Sequence, residues 1–134
     1  MSSAVLGPDD LNEIALAAYY ALVSDRVERS QVNKLIEVLE STRSVEYLLA
    51  HIARQVGRGI WGGGRHLGAS RLFSVLRGRD FREARTILGI FKWLYEAGER
   101  RQRDLQSRLG RIVRGGGAPQ DFYMKYIEAL LASR

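Results

Sequence analysis

The side chains of this chain best equipped to act on a partner are its arginines. Of 21 basic residues only Lys34, Lys92 and Lys125 are lysines; the other 18 are arginine. A guanidinium is weakly hydrated, and its planar fork meets two phosphate oxygens at once, so arginine suits a nucleic-acid backbone. A GC-rich or thermophilic source would also exchange Lys for Arg, but it would not segregate charge. Here the charge is segregated: residues 1–52 hold four basic side chains against eight acidic ones, and residues 53–134 hold 17 against seven. The basic residues form two clusters. Arg54, Arg58, Arg65, Arg71, Arg77, Arg79, Arg82 and Arg85 surround and follow a glycine-rich stretch at 57–68. Arg100, Arg101, Arg103, Arg108, Arg111 and Arg114 follow later, with Arg100, Arg103 and Arg111 on a helix face opposite Leu105, Leu109 and Ile112. Contacts from these arginines to phosphates would release counterions and weaken steeply with salt.

Two tryptophans lie close to this charge. Trp61, among the glycines, suits either a base-stacking platform or a hydrophobic plug over the end of a bundle. Trp93 alternates with the inward face of its helix and marks a protein–protein contact. Signals for catalysis are thin. Gly57-Arg-Gly59-Ile-Trp-Gly62 has the letters of a dinucleotide-binding turn, but it follows a helix rather than a strand, and the pyrophosphate geometry fails. There is no Cys and no phosphate-binding loop of the Gly-Lys-Ser/Thr type. His51 and His66 lack a patterned partner for metal binding or for general acid–base work. The carboxylate pairs Asp10/Glu13, Asp25/Glu28 and Asp80/Glu83 have the spacing of helix caps. The expectation is a protein without catalytic residues, metal or cofactor.

The elements that must position these residues are helices. Leu11, Ile14, Ala15, Ala18 and Leu22 form one apolar stripe. Val32, Leu35, Ile36 and Leu39 form a second, and Val45, Leu48, Leu49, Ile52 and Val56 a third. The polar stretch 41–44 is the break between the last two. Six glycines in the twelve positions 57–68 predict a loop, because glycine costs about 1 kcal/mol inside a helix. A short helix over 69–77 turns Leu72, Phe73 and Leu76 inward. Ala84, Ile87, Leu88, Phe91, Leu94, Tyr95 and Gly98 then share a face. That face extends through Gln102, Leu105, Leu109 and Ile112, so one helix of about nine turns is possible, with Gly98 its weak point. Glycines 115–117 and Pro119 precede a last helix carrying Phe122, Tyr126, Ile127 and Leu130. Strand signals are nearly absent. These features predict an all-α, single-domain bundle of five to six helices: acidic helices in 1–52, a loop at 57–68 and basic helices in 69–134.

A chain of 134 residues is enough for one domain with a core. The start MSSAVLGPDD lacks the pattern of a secretory signal, and no apolar run approaches the ~20 residues that span a bilayer. The expected place is the cytoplasm, with no membrane partner.

Three segments resemble a known family in the family's order, together covering about a fifth of the chain. They are Ser30-Gln31-Val32-Asn33-Lys34-Leu35, Tyr95-Glu96-Ala97-Gly98-Glu99-Arg100, and the stretch from Phe122 to Ala132 around Tyr126, Glu128, Ala129 and Leu130. They resemble the helical small subunit of class 1 CRISPR RNA-guided effector complexes, closest to type III-A. The segment Arg85 to Ala97 is similar to the last helix of the type III-B small subunit, and a type IV small subunit fits the same class. Glu99 and the glycine-rich stretch depart from the family pattern. The resemblance implies a non-catalytic helical bundle within a ribonucleoprotein of antiviral defence. Its partners would be the CRISPR RNA and target nucleic acid, the backbone subunits of the complex and neighbouring copies of itself. The residues it carries over are Lys34, Arg100 and Lys125. Two other readings stand beside it: a free-standing helical DNA-binding regulator, for which Arg54 and Gln55 would have to read bases, and a helical adaptor for an acidic protein or membrane surface.

Overall fold

A computed structural model of the protein describes residues 6–61, 66–114 and 120–132. Among them the only regular elements are seven helices: α1 (Pro8–Val23), α2 (Arg29–Thr42), α3 (Val45–Gly57), α4 (Leu67–Leu76), α5 (Phe81–Gly98), α6 (Gln102–Arg114) and α7 (Phe122–Ala132). They share one core, so the all-α, single-domain expectation holds, with one helix more than foreseen. None of the described helices is long and apolar enough to cross a membrane.

Helix α1 is the axis of the fold. Its alanines at 15, 17, 18 and 21 are fully buried, together with Ile14, Leu16, Tyr19 and Leu22. A helix covered on this many sides needs small residues wherever a neighbour comes close. Helices α4, α5, α6 and α7 pack around it; α2 and α3 form a hairpin that lies on α5 and α4. Backbone meets backbone at Gly68, where a Cβ would lie 3.2 Å from the Ala17 carbonyl oxygen and 3.2 Å from the Ala21 nitrogen. Phe73, expected inward, lies on the outside of α4 with the Arg77 guanidinium near its ring, and Val75 takes the core position.

The extra helix comes from Gly98. A Cβ there would fall 2.6 Å from Leu105 Cδ1, 2.7 Å from the Tyr126 hydroxyl and 2.9 Å from Leu22 Cδ1. Three helices meet the chain at this glycine, and the continuous nine-turn alternative breaks there into α5 and α6. The tyrosine is itself held, donating to the Leu94 carbonyl at 2.7 Å. The 41–44 break is also present: Arg43 takes a left-handed conformation, and Ser44 Oγ accepts from Tyr47 N at 3.2 Å to start α3.

The three carboxylate pairs have different fates. Asp80 and Glu83 close a reciprocal capping box on α5, at 2.8 and 3.1 Å. Asp10, expected as a cap, lies inside the first turn and accepts from Gly7 N at 3.1 Å. Asp25 does not cap α2, whose start at Glu28 has no side-chain cap. It accepts instead from Gly68 N at 2.7 Å, at the buried N-terminus of α4. Free N–H groups pressed against α1 need an acceptor more than those of a solvated helix start do. Burial pushes the Asp25 carboxyl up from its usual range, opposed by the backbone N–H groups of Gly68, Leu67 and Ala69. Asn12 does the same service for α7: its side chain accepts from Tyr123 N at 2.9 Å and donates to the Gln120 carbonyl.

Candidate nucleic-acid interface

The two arginine clusters occupy different environments. In the first, Arg71 meets Glu13 at 2.8 Å, Arg79 meets Asp10 at 2.6 Å, and Arg85 meets Glu40 at 2.7 Å. Arg79 also donates to the Val75 carbonyl. The acidic N-terminal third therefore serves, in part, as the internal counter-charge of the first cluster. Arg54, Arg58, Arg77 and Arg82 are exposed and form no ion pair among the described residues. They lie on three different helices or at their ends. Arg65 lies outside the described residues.

The second cluster lies on and just before α6. Leu105 and Leu109 are buried, and α6 rests on α1 and α7. Arg103, Arg108, Arg111 and Arg114 are exposed along the helix, with Arg100 just before it. None of these five makes an ion pair among the described residues. Arg103, Ser107, Arg111 and Arg114 fall at spacings of four, four and three, which puts them on one face. From Arg103 to Arg114 that face rises about 16 Å along the axis. Arg101 turns away and donates to the Leu130 carbonyl at 3.5 Å.

A trough runs along the flank of α6 that faces α1. One end, lined by Arg26, Glu99, Arg100 and Arg103, continues past Val23 and Gln106 into the other. That second part has a volume of about 420 Å³, with Tyr19, Tyr20, Leu67, Gly110 and Arg114 in its walls. The carboxylate of Glu99 is held by Arg29 at 2.5 Å. Tyr19 and Tyr20 meet edge to face at 5.8 Å; Tyr19 is the buried one and Tyr20 is half-buried. Burial holds the Tyr19 phenol above its usual pKa, helped by Tyr20 and opposed by Arg114, so it is a hydrogen-bond donor at neutral pH. Leu67 brings the described end of the glycine-rich stretch to this trough.

Trp61 is fully buried, which corrects the base-stacking expectation and leaves the plug. The cause is local. Gly59, with φ +75°, stops α3 in a Schellman turn: Gly59 N donates to the Val56 carbonyl and Ile60 N to the Gln55 carbonyl, both at 3.0 Å. The chain reverses and carries Trp61 into the core. Gly59 is thus a helix stop rather than part of a phosphate cradle. Trp93, by contrast, is 71% exposed on α5, beside the half-buried Ile90. His66 starts α4 with Nδ1 3.4 Å from the Trp61 carbonyl oxygen. His51 is half-buried, and burial, then Lys34 and Arg54, hold its pKa below the ordinary value.

Sequence reasoning missed Tyr19, Tyr20, Arg26 and Gln106 as residues of a common surface. The available signal was the adjacent tyrosines: neighbours on a helix are about 100° apart, so both cannot enter one core. No family model, curated protein or solved structure matches the chain.

Proposed function

We propose that the protein is a non-catalytic helical subunit of a class 1 CRISPR RNA-guided effector complex, of the type III-A small-subunit kind, and that α6 holds a nucleic-acid backbone in it. The observation that supports this most is the row Arg103, Arg108, Arg111 and Arg114 on α6, exposed and without carboxylate partners. Arg71, Arg79 and Arg85 are satisfied internally, whereas the four arginines of this one helix offer an external anion a set of unpaired donors along its length. Phosphates at helical or extended spacing supply one that continues along the whole row. The exposed Trp93 face of α5 suits a backbone subunit or a second copy, since a solvent-facing Trp is a typical anchor of protein contacts. The resemblance of three segments to that small subunit supplies the complex; the arginines supply the role.

The test is binding of a labelled oligonucleotide by polarisation across salt concentrations. Three to four phosphate contacts give a slope of log affinity against log salt of about −2 to −3 for a single strand. A flat salt dependence, or equal binding to a polyglutamate chain, rejects the assignment in favour of an adaptor for acidic proteins. Co-expression with backbone subunits of a class 1 effector tests the second half. Trp93→Ala should abolish co-purification while the thermal midpoint of the isolated protein stays within a degree or two.

A further inference from the structure

The reading of α6 as a phosphate grip leaves the trough beside it unexplained. Its walls combine two tyrosine rings, the apolar side chains of Val23, Leu67 and Val113, the Gln106 amide and a glycine, with arginine at both ends. A grip on phosphates alone needs none of the aromatic surface. An apolar peptide would need none of the terminal arginines. We propose that this trough takes the bases of a single strand. The α6 arginines hold its phosphates, and a base inserts over Gly110 against the Tyr20 ring, its polar edge meeting the Tyr19 hydroxyl and the Gln106 amide.

The inference rests on the backbone-grip reading and adds the strand type to it. A duplex keeps its base faces stacked and its edges paired, and would leave the tyrosines idle; a single strand presents a π-face at every step. The half-buried Tyr20 is the available ring, and Tyr19 behind it holds the wall through their edge-to-face contact. Tyr19 forms no hydrogen bond within the described residues, so its phenol is free to donate to a base. The missing side chain at Gly110 is what keeps this space open: a Cβ there would meet Tyr19 Oη at 3.5 Å and nothing closer. The trough at this point is built by absence: a Cβ makes only ordinary van der Waals contact, and a larger side chain would take up its space.

Gly110→Leu is therefore the decisive variant. It removes no charge and replaces a poor helix former with a good one; its thermal midpoint, measured beside that of Gly110→Ala, checks that the fold is retained. Binding of labelled oligouridylate and oligothymidylate is compared with binding of a duplex of equal length. Wild type should prefer the single strands. Gly110→Leu and Tyr20→Ala should each lower single-strand affinity about tenfold, the scale of one lost base stack, with the salt slope and duplex affinity unchanged. A strand carrying 5-bromouracil should crosslink under ultraviolet light to Tyr19 or Tyr20. If Gly110→Leu binds single strands as wild type does, or the crosslinks map outside the trough, the inference fails while the grip on phosphates stands. If wild type binds neither strand type, the reading of α6 fails first and takes the inference with it.

Discussion

Arg71, Arg79 and Arg85 and the arginines of α6 are one residue type in one basic region, yet they do different work. Arg71, Arg79 and Arg85 stand within 2.6 to 2.8 Å of carboxylates from α1 and α2. Each is a tie between the late and early parts of the chain. Arg103, Arg108, Arg111 and Arg114 form no such ion pair among the described residues: α6 turns its own Leu105 and Leu109 into the core, and Tyr19 and Val23 of α1 line the trough beside it. Total charge does not distinguish the two groups. Which helix each row packs against does.

Removing each row separately tells the two roles apart. Arg103→Ala, Arg111→Ala and Arg114→Ala together should lower affinity for a single strand at least a hundredfold and flatten the salt slope by about 2, at 0.7 for each contact. The midpoint of unfolding should not move. Arg71→Ala, Arg79→Ala and Arg85→Ala together should do the reverse. Half-exposed ion pairs contribute about 0.2–1 kcal/mol each, so stability should fall by about 1–3 kcal/mol in denaturant titration. Affinity should stay within a few-fold. Equal loss of binding in both triple variants would merge the clusters into one surface and end the distinction.

The next largest effect tests whether the acidic third is structural. Asp25 is 2% exposed and meets Gly68 N at 2.7 Å. Asp25→Ala strands the N–H groups of a buried helix start, at about 1–3 kcal/mol. Glu28→Ala, three residues on, should cost less than 0.5 kcal/mol, since its side chain caps nothing. Had the spacing in sequence set the roles, the two would behave alike.

That contrast shows where the sequence was legible. The stripe from Ala84 to Gly98 was read in full, because seven apolar positions at helical spacing admit one inward face; all seven are buried. The face of α6 was equally readable, from Leu105 and Leu109. The three Asp-x-x-Glu pairs were identical as patterns and separated only by tertiary structure: Asp80 faces its own helix, whereas Asp25 faces one that begins 42 residues later. Ion pairs such as Arg79 with Asp10 join residues from opposite ends of the pattern, and no local period records them. Trp61 carried two readings because its burial depends on the Schellman turn at Gly59, which sets the direction of the chain rather than its composition. The trough was illegible for the same reason, since its walls come from α1, α4 and α6.

Arg54 and Arg58 are exposed and form no ion pair among the described residues, like the α6 row, but sit at the end of α3. His51 lies close enough to Arg54 to report on it. Its pKa is held below the ordinary 6.5 by burial first, then by Lys34 and Arg54. A histidine with a depressed folded-state pKa contributes stability that is present above pH 6.5 and lost as pH falls through the lowered value. His51→Gln should therefore flatten the slope of stability against pH in that window. The same group can be followed by NMR with a strand bound. A phosphate on Arg54 would cancel part of the positive field and raise the His51 pKa; a strand confined to α6 and its trough would leave the titration where it was. The unmoved titration is the expected result, because α3 packs on α2 and α4 while α6 packs on α1 and α7. An upward shift on adding the strand would extend the interface to α3 and make Arg54 part of the grip.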